Sequence, residues 1–560
     1  MPSIRSIVVA LVLGSLLAPA AAHASPTQQS IMMDDDLLVY RDDSTAAKTL
    51  TQMKSLGVDT VRVTVLWKTV AENARLTKAD LAELKKLKSK AKGEKDRIAF
   101  QRAIERARRQ NRRFKPANPS TYPIRNWDRY DNLVRSATDR GIRVYFNITG
   151  PGPKWAHATK PKGSTALQST FKPNARAFKL FVTAVGKRFS GAYRDENGSR
   201  SALPRVNMWS LWNEPNQGGW LSPQWETRGG QIVPASPAIF RRLHQAGYQG
   251  LVAAGHRVDN SIILLGETAP LGSDAKTGKS PMRPKQFLRE VFCIQANGTP
   301  YTGAATAARD CGDLAKGPLQ ASGYAHHPYT KNLPPTQRDP HPDAATMANI
   351  GELGTLLDEM SAKTNAVSAG LSLFMTEYGF ETNPPDPFSG VAPALQAKYN
   401  TVGEFLAWSN PRIASQAQFL LRDVAPVAKR AKNSKGYWFT YQSGLLFESG
   451  QPKLAAYAYS FPFVATPIGV DEATAAPVFS LWGQTRFRPN GAADTVQLQW
   501  HPKDNSLPFA AVGDPVPVDF FGYFNATAIA PSPAPGEWRA VYLLPDGVTI
   551  GSASLSADGT

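Results

Sequence analysis

The sequence is poor in cysteine and has no long apolar run beyond its first residues. Only Cys293 and Cys311 occur among 560 residues, and two thiols at this spacing have no further ligands nearby, so a metal site is not expected. No run of 18 apolar residues follows the N-terminal segment, which argues against a membrane span. Proline and glycine, with 44 and 43 residues, show no period, which excludes a collagen-like chain.

The composition is that of a globular protein. Hydrophobic residues make up 42% of the chain and charged residues 19%, which excludes wholesale disorder and a coiled-coil rod. The length allows up to four average domains, but a closed α/β barrel alone can take 250 residues or more.

The N-terminal segment has the pattern of a secretory signal peptide. Arg5 precedes the apolar run IVVALVLGSLLAPAAA, and an A-x-A end follows at 22–24. We therefore predict a signal peptide over residues 1–24, cleaved near Ala24, and a secreted protein of the extracellular space or cell envelope; a buried N-terminal helix is the alternative. Export favours a Cys293–Cys311 disulfide over two free thiols.

Positive charge is concentrated in one stretch. The formal net charge is +19, and residues 75–115 hold 16 basic and 5 acidic side chains. Apolar residues recur there at helical spacing on both sides of Gly93, which predicts two helices turning at that glycine. The stretch is either a solvated helical insertion or a patch that binds an anionic envelope polymer or acidic polysaccharide. Phe100 and Phe114 are its only aromatic residues, so a stacking surface for nucleic acid is not expected.

Between residues 31 and 462 apolar strands alternate with amphipathic helices. The predicted strands are 36–40, 58–67, 142–148, 204–214, 261–267, 321–329, 371–379 and 414–422. The predicted helices are 44–56, 127–140, 174–190, 236–255, 284–292, 344–361, 391–409 and 451–459. Eight strand–helix units predict an α/β fold, a (β/α)₈ TIM barrel. The alternative is an open doubly wound sheet, which the absence of a glycine-rich fingerprint after the first strand disfavours.

The pattern of apolar and polar residues changes after residue 462. Short alternating segments separated by Pro, Gly, Asn or Asp predict a small all-β module, of sandwich type, over residues 463–560. It either binds glycans or covers the flank of the barrel.

Ionisable groups lie at several predicted strand ends, where the active site of such a barrel forms. The fourth strand ends in LWNEP with Glu214, the seventh in MTEYG with Glu377, and the fifth with Glu267. Strands four and seven lie across the barrel mouth from each other, so Glu214 and Glu377 can face one another. Each carboxylate also has an ordinary alternative, a helix cap or an ion pair. Asp34–Asp36 reads better as a solvated start to strand one than as a cation site.

These motifs together resemble the clan A retaining glycoside hydrolases of the family 5, 39 and 51 type. WNEP, TEYG and HHPY occur in the expected order, and VRVTVLW places Arg62 where that group has a strand-two arginine. The resemblance implies double displacement at a sugar, with Glu214 as acid/base, Glu377 as nucleophile and Asn213 on the sugar 2-hydroxyl. It implies no metal and no cofactor, and a carbohydrate substrate.

Further substrate-binding residues are expected around this pair. The resemblance covers Arg62, His327 and Tyr329, and we add Trp67, His326 and Trp438 as sugar contacts. The predicted strand eight ends in LLRD rather than in an aromatic residue, so Trp438, in the following loop, is the candidate aromatic residue beneath the sugar. Hydrolysis and transglycosylation use the same residues and stay open, and a non-catalytic carbohydrate-binding or cell-envelope protein on the same barrel is the alternative function.

Overall fold

The computed structural model describes residues 25, 27–198, 201–486, 491–503, 507–552 and 555–556. The predicted signal peptide at residues 1–24 lies outside them. Eight parallel strands close into a barrel, paired in chain order. They are β1 (Gln29–Met33), β2 (Thr60–Leu66), β3 (Arg143–Thr149), β4 (Met208–Leu211), β5 (Ile262–Thr268), β6 (Gly323–His326), β7 (Ser372–Met375) and β8 (Ile413–Phe419). The predicted TIM barrel is thus confirmed.

Helices follow the strands and cover the outside of the barrel. The main ones are Asp43–Ser55, Ile124–Asp139, Ala175–Arg188, Ser236–Val252, Pro284–Val291, Gly351–Thr364, Pro393–Trp408 and Leu454–Ser460. The large apolar core lies between strands and helices, because every strand is covered on its outer side. A smaller layer fills the barrel interior, with one residue from each of seven strands: Ile31, Tyr145, Met208, Leu264, Ala325, Phe374 and Ala417.

The first strand lies earlier than the sequence suggests. The predicted strand 36–40 is a short helix, Asp35–Val39, and β1 is the preceding segment Gln29–Met33. Asp34 caps this helix, because its buried carboxylate accepts a hydrogen bond from the Leu37 N–H at 3.1 Å, and its other oxygen accepts one from the Arg422 N–H at 3.0 Å. Asp34 is therefore a buried structural residue rather than part of a solvated strand start.

The basic stretch forms two helices, Lys78–Lys90 and Glu94–Arg113, inserted after β2. Gly93 lies between them. The base of this helical pair is tied to the barrel: Asn111 exchanges hydrogen bonds with the backbone of Leu76, and Phe114 packs against Tyr122 with ring centroids 5.1 Å apart. Because the insertion leaves the carboxyl end of β2, it belongs to the face of the barrel on which an active site forms.

The C-terminal part is an all-β module, as predicted. One antiparallel sheet contains Phe463–Val470, Pro477–Gln484 and Tyr523–Ile529, and the other is built on Thr495–Pro502, Gly536–Leu543 and short strands at Ala510–Ala511, Val516–Pro517, Thr549–Gly551 and Leu555–Ser556. The module packs on the barrel through the Arg486–Glu404 ion pair at 2.8 Å and through Trp482 against Trp408 at 5.6 Å between ring centroids.

Two further expectations bear on where the protein works. The Cys293–Cys311 disulfide is present, with the two Cα atoms 5.9 Å apart. Among the described residues, no helix is both long and apolar enough to cross a membrane.

Candidate active site

A cleft of about 770 Å³ opens at the carboxyl ends of the barrel strands. Its lining includes Asp35, Asp36, Tyr40, Asn213, Glu214, Trp220, Tyr329, Lys331, Glu377, Glu381, Phe419 and Tyr441. Glu214 and Glu377, which the sequence placed 163 positions apart on strands four and seven, thus share one cleft. The site is a concave, partly apolar pocket with a small set of convergent polar groups, as ligand sites usually are.

Arg62 lies beneath this cleft and is fully buried on β2. Its Nη2 donates to Asn213 Oδ1 at 2.8 Å and to Glu267 Oε2 at 3.0 Å, while its Nη1 lies 2.9 Å from Glu377 Oε1. One buried guanidinium therefore positions Asn213 and contacts two carboxylates at once.

Glu267 is a fully buried carboxylate at the end of β5. It accepts hydrogen bonds from Ser210 Oγ at 2.7 Å, from Thr376 Oγ1 at 2.9 Å and from the Tyr145 hydroxyl. Burial alone would raise the pKa of Glu267, but the Arg62 charge and the hydrogen bond from His327 hold that pKa well below its usual range. Glu267 is thus a permanent buried anion under the cleft.

A bulge in β5 aims Glu267 inward. The strand register shifts between Gly266 and Thr268, and Glu267 adopts a left-handed backbone with φ 55°. Such a conformation is costly for a glutamate, and bulges of this kind commonly redirect side chains beside functional sites. Glu214 is also left-handed, with φ 37°, and its N–H donates to the Glu267 carbonyl oxygen at 2.9 Å.

His327 connects the buried anion to both carboxylates in the cleft. Its Nε2 donates to Glu267 Oε2 at 2.6 Å, and its Nδ1 lies 3.0 Å from Glu214 Oε1 and 3.5 Å from Glu377 Oε2. Burial opposes the charge on the ring, but the carboxylates of Glu377, Glu214 and Glu267 raise the pKa of His327 to about 10. His327 is therefore an imidazolium at neutral pH and donates from both nitrogens.

Glu214 and Glu377 face each other across His327. Facing carboxylate oxygens of the two residues and His327 Nδ1 all lie within 4.8 Å of one another. Glu377 also accepts a hydrogen bond from the Tyr329 hydroxyl at 3.1 Å. Burial raises the pKa of Glu377, and the adjacent charges of His327 and Arg62 oppose that rise, whereas the like charge of Glu214 adds to it.

The same three side chains satisfy the distances of a metal site. A cation there would lie between Arg62, which contacts Glu377 at 2.9 Å, and His327, whose two ring nitrogens both contact carboxylates. An imidazolium offers no lone pair to a metal. The positive charges already present therefore disfavour a metal ion at this position.

Three expected sugar contacts do not line the cleft. The Trp67 ring is fully buried and stacks on Phe181 at 5.5 Å, so it has no free face for a sugar. His326 is also fully buried, with Nδ1 on Thr268 Oγ1 and Nε2 on the Ala345 carbonyl, and burial lowers its pKa to about 3. Both residues support neighbouring elements rather than a substrate. Trp438 packs on Tyr437 and donates to the Lys432 carbonyl outside the cleft.

The aromatic residue at the end of β8 is Phe419. It lines the cleft and packs edge-on against Tyr441 with ring centroids 5.0 Å apart. The predicted strand eight runs to residue 422, three positions beyond the aromatic residue at which the strand ends. Asp35 was also missed as a cleft residue. Burial raises the pKa of Asp35 to about 6, although hydrogen bonds from Thr64 lower it.

Comparison with known proteins gives weak similarities only. No family model matches the chain, and no curated protein sequence matches it. Among solved structures, GH5_18 from Streptomyces cattleya in complex with GlcNAc is 14% identical, with 78% of this chain and 79% of that chain covered and a TM-score of 0.40. A monomeric β-xylosidase from Caulobacter crescentus CB15 is 13% identical, with 91% and 96% covered and a TM-score of 0.43.

A β-glucuronidase from Bacteroides uniformis, covalently bound to cyclophellitol-6-carboxylate aziridine, is 11% identical with a TM-score of 0.41. The alignment covers 95% of this chain and 46% of that one, so this chain spans less than half the length of the glucuronidase. Similarities at this level do not assign an activity to the chain.

Proposed function

We propose that the protein is a secreted retaining glycoside hydrolase that cleaves O-glycosidic bonds of a polysaccharide or oligosaccharide by double displacement. The observation that carries this proposal is the pair Glu214 and Glu377, whose facing oxygens lie within 4.8 Å in one cleft. Retaining enzymes separate their carboxyl groups by about 5–5.5 Å, whereas inverting enzymes need about 6.5–9.5 Å to admit a water molecule.

In the first step a Glu377 oxygen attacks the anomeric carbon as the bond to the leaving oxygen breaks. Glu214 donates a proton to that oxygen, and a glycosyl ester forms on Glu377. In the second step Glu214 takes a proton from water, the water oxygen attacks the anomeric carbon, and the ester bond to Glu377 breaks. The sugar leaves with its original anomeric configuration.

The charge balance of the site supports these roles. Two buried cations, Arg62 and His327, face three carboxylates, those of Glu214, Glu267 and Glu377. The cluster is neutral when one carboxylate holds a proton. Glu377 and Glu267 both contact Arg62 directly, and this positive charge favours the ionised form of each. Formation of the ester neutralises Glu377 and removes the like charge that faces Glu214.

The cleft walls support a neutral or cationic sugar at the cleaved bond. Asp35, Asp36 and Glu381 line it together with the catalytic pair, and Lys331 is the one basic residue among the described lining residues. A uronate carboxylate would meet the carboxylates of Asp35 and Asp36 on these walls, with Lys331 as the one opposite charge, whereas burial raises the pKa of Glu381 to about 8. Export is supported by the Cys293–Cys311 disulfide, since disulfides persist in oxidising compartments.

A panel of neutral and amino-sugar aryl glycosides and polysaccharides, followed by proton NMR of the first-formed product, tests the proposal. We expect release of one sugar class with retention at the anomeric carbon and loss of release in Glu377→Gln. Inversion would contradict the double displacement. Binding of a glycan by folded wild-type protein with no turnover on any member would instead favour the non-catalytic function.

A further inference from the structure

The insertion carries an uncompensated band of positive charge. Fifteen of the 16 basic side chains in residues 75–115 are exposed, and the remaining one, Lys88, is half-buried. Within the described residues, no carboxylate oxygen lies within ion-pair distance of any of them, although 26 ion pairs occur elsewhere in the chain. The insertion therefore differs from the rest of the surface, where Lys and Arg commonly pair with acidic groups.

The second helix of the insertion, Glu94–Arg113, arranges part of this charge on one face. At about 100° per residue, five cations fall within a sector of about 60° on the side opposite the buried Ile104 and Ala107. We call these five residues the basic stripe: Lys95, Arg102, Arg106, Arg109 and Arg113. The stripe extends about 27 Å along the helix.

The stripe is not needed to fold the helix. The side chains of the stripe form no hydrogen bond or ion pair with any described residue. Like charges three and four positions apart also destabilise a helix. Glu105, which lies between Arg102 and Arg106, accepts instead from Gln101 Nε2 at 2.6 Å. A row of arginines retained at such a cost suits an external ligand with repeated oxyanions, because each guanidinium can bind one in bidentate fashion.

The stripe lies on the same face of the barrel as the cleft. The insertion follows β2, and a second basic segment follows β8, with Lys429, Arg430, Lys432 and Lys435 exposed and no acidic residue between 424 and 443. Strands β2 and β8 are the two neighbours of β1 in the ring, so the two basic segments leave the catalytic face on either side of β1.

We propose that the basic stripe is a docking surface for an anionic polysaccharide and holds the cleft against that polymer. A membrane surface fits less well, because an interfacial helix buries a broad apolar face in lipid. In this helix Ile104 and Ala107 are buried in the protein, and Ile98 is the one exposed large apolar residue. Single-stranded nucleic acid needs stacking rings beside the charges. Phe114 is packed against Tyr122, and Phe100 is half-buried on the side of the helix opposite the stripe. The choice of a glycan also rests on the proposed glycosidase function.

Docking and cleavage then involve different groups of one polymer. The stripe binds the repeated anionic groups, whereas the acidic cleft accepts an uncharged or amino sugar. A heteropolysaccharide with both kinds of unit matches both surfaces, and docking on the polymer raises its local concentration at the cleft.

The test is binding of the full chain to polygalacturonate, with its fully methyl-esterified form as the neutral match. The stripe variant is Arg102→Gln, Arg106→Gln, Arg109→Gln and Arg113→Gln, which keeps good helix formers at exposed positions. The control variant removes the same charge from exposed sites elsewhere: Lys48→Gln, Lys54→Gln, Arg143→Gln and Lys187→Gln. Circular dichroism and thermal melting confirm that both variants fold.

We expect wild-type protein to bind the acidic polymer and not the ester, with affinity falling roughly 50-fold between 50 and 200 mM salt if about four charges are neutralised. The stripe variant should lose most of this affinity and its salt dependence, and the control variant should bind within about twofold of wild type. Equal losses of affinity in both variants would show that binding depends on net charge and not on the stripe, and would overturn the proposal.

Tighter stripe-dependent binding to duplex DNA or to phosphatidylglycerol vesicles than to polygalacturonate would likewise overturn it, in favour of those partners. Turnover of a small aryl glycoside is measured on the same samples and should be equal in all three proteins. Turnover of the aryl glycoside by wild-type protein that does not bind the polymer would contradict the docking proposal alone. Binding of the polymer without turnover would contradict the glycosidase proposal alone.

Discussion

His327 Nε2 lies 2.6 Å from Glu267 Oε2, in a position without solvent exposure for either side chain. This contact places a buried anion behind a histidine whose other nitrogen reaches Glu214. The histidine is thereby kept charged and fixed in orientation, and it delivers a proton donor to the space between the two cleft carboxylates. Glu267 therefore acts on the site through His327 and Arg62, as a positioning residue.

Glu267→Gln should lower the pH at which activity is lost on the alkaline side. Burial opposes the charge of His327, and Glu267 is one of the three carboxylates that raise its pKa to about 10. Without that anion the imidazolium loses its proton at lower pH. The measurement is the pH profile of kcat/KM on the active aryl glycoside, and an unmoved alkaline limb would show that Glu267 does not act through His327.

The same histidine makes a pH-dependent contribution to stability. Because its pKa is raised from 6.5 to about 10 on folding, the contribution of His327 to the free energy of unfolding is complete below pH 6.5 and disappears as pH rises through about 10.

Ser210→Ala is the matched control for Glu267→Gln in the pH profile of kcat/KM, since it removes one hydrogen bond to Glu267 at 2.7 Å and leaves the charge in place. Its alkaline limb should stay close to that of wild type.

Glu214→Gln should discriminate between leaving groups. A general acid contributes about 10²–10⁴-fold, and only for leaving groups that need a proton. We expect kcat/KM to fall by that range on natural glycosides and much less on a dinitrophenyl glycoside, whose leaving group departs as a stable anion. Equal losses on both substrates would assign Glu214 a role other than proton donation.

Phe419→Ala should weaken substrate binding, and Trp438→Ala should not. Phe419 lines the cleft beside Tyr441, whereas Trp438 packs on Tyr437 outside it. Loss of one aromatic contact is worth up to about tenfold in kcat/KM. The comparison uses steady-state kinetics of two folded variants matched by melting temperature, and a larger effect at Trp438 would place the aromatic contact with the sugar in the loop after β8.

Glu404→Gln should destabilise the contact between barrel and β module. Arg486 is nearly buried, lies 2.8 Å from Glu404 and stacks 4.0 Å over the Tyr459 ring. Removing one partner of a buried ion pair costs about 3 kcal/mol, because the other charge is left uncompensated. The shift of the urea midpoint measures this cost, and Arg486→Met in the Glu404→Leu background should recover part of it. No shift would mean that the pair is solvated in solution.

The sequence predicted the barrel well because seven of its strands coincide with predicted strand segments, and a predicted helix follows each of them. The exception, β1, was displaced by the run DLLVY, which forms one helical turn capped by Asp34. A five-residue apolar run does not distinguish a strand from a buried turn of helix, since both bury it fully. Only the cap and the pairing of Gln29–Met33 with both neighbours settle the choice.

The sequence predicts those residues of the candidate site that belong to a strand-end motif. It does not predict a residue whose side-chain direction depends on the local backbone conformation. Glu214 and Glu377 follow from strand-end motifs, but the inward turn of Glu267 depends on a bulge that leaves no mark in the residue types. Trp67 was predicted to contact the sugar but lies in the core. An aromatic residue at a strand end suits either position, and here the neighbouring Phe181 and Trp155 enclose its ring.

The most direct test of the account is to trap the intermediate. Wild-type protein is treated with the 2-deoxy-2-fluoro derivative of whichever aryl glycoside it cleaves, digested, and mapped by mass spectrometry. The account predicts a single fluoroglycosyl adduct on the peptide that contains Glu377, absent from Glu377→Gln. An adduct on Glu214 or Glu267, or turnover that survives in Glu377→Gln, would contradict it.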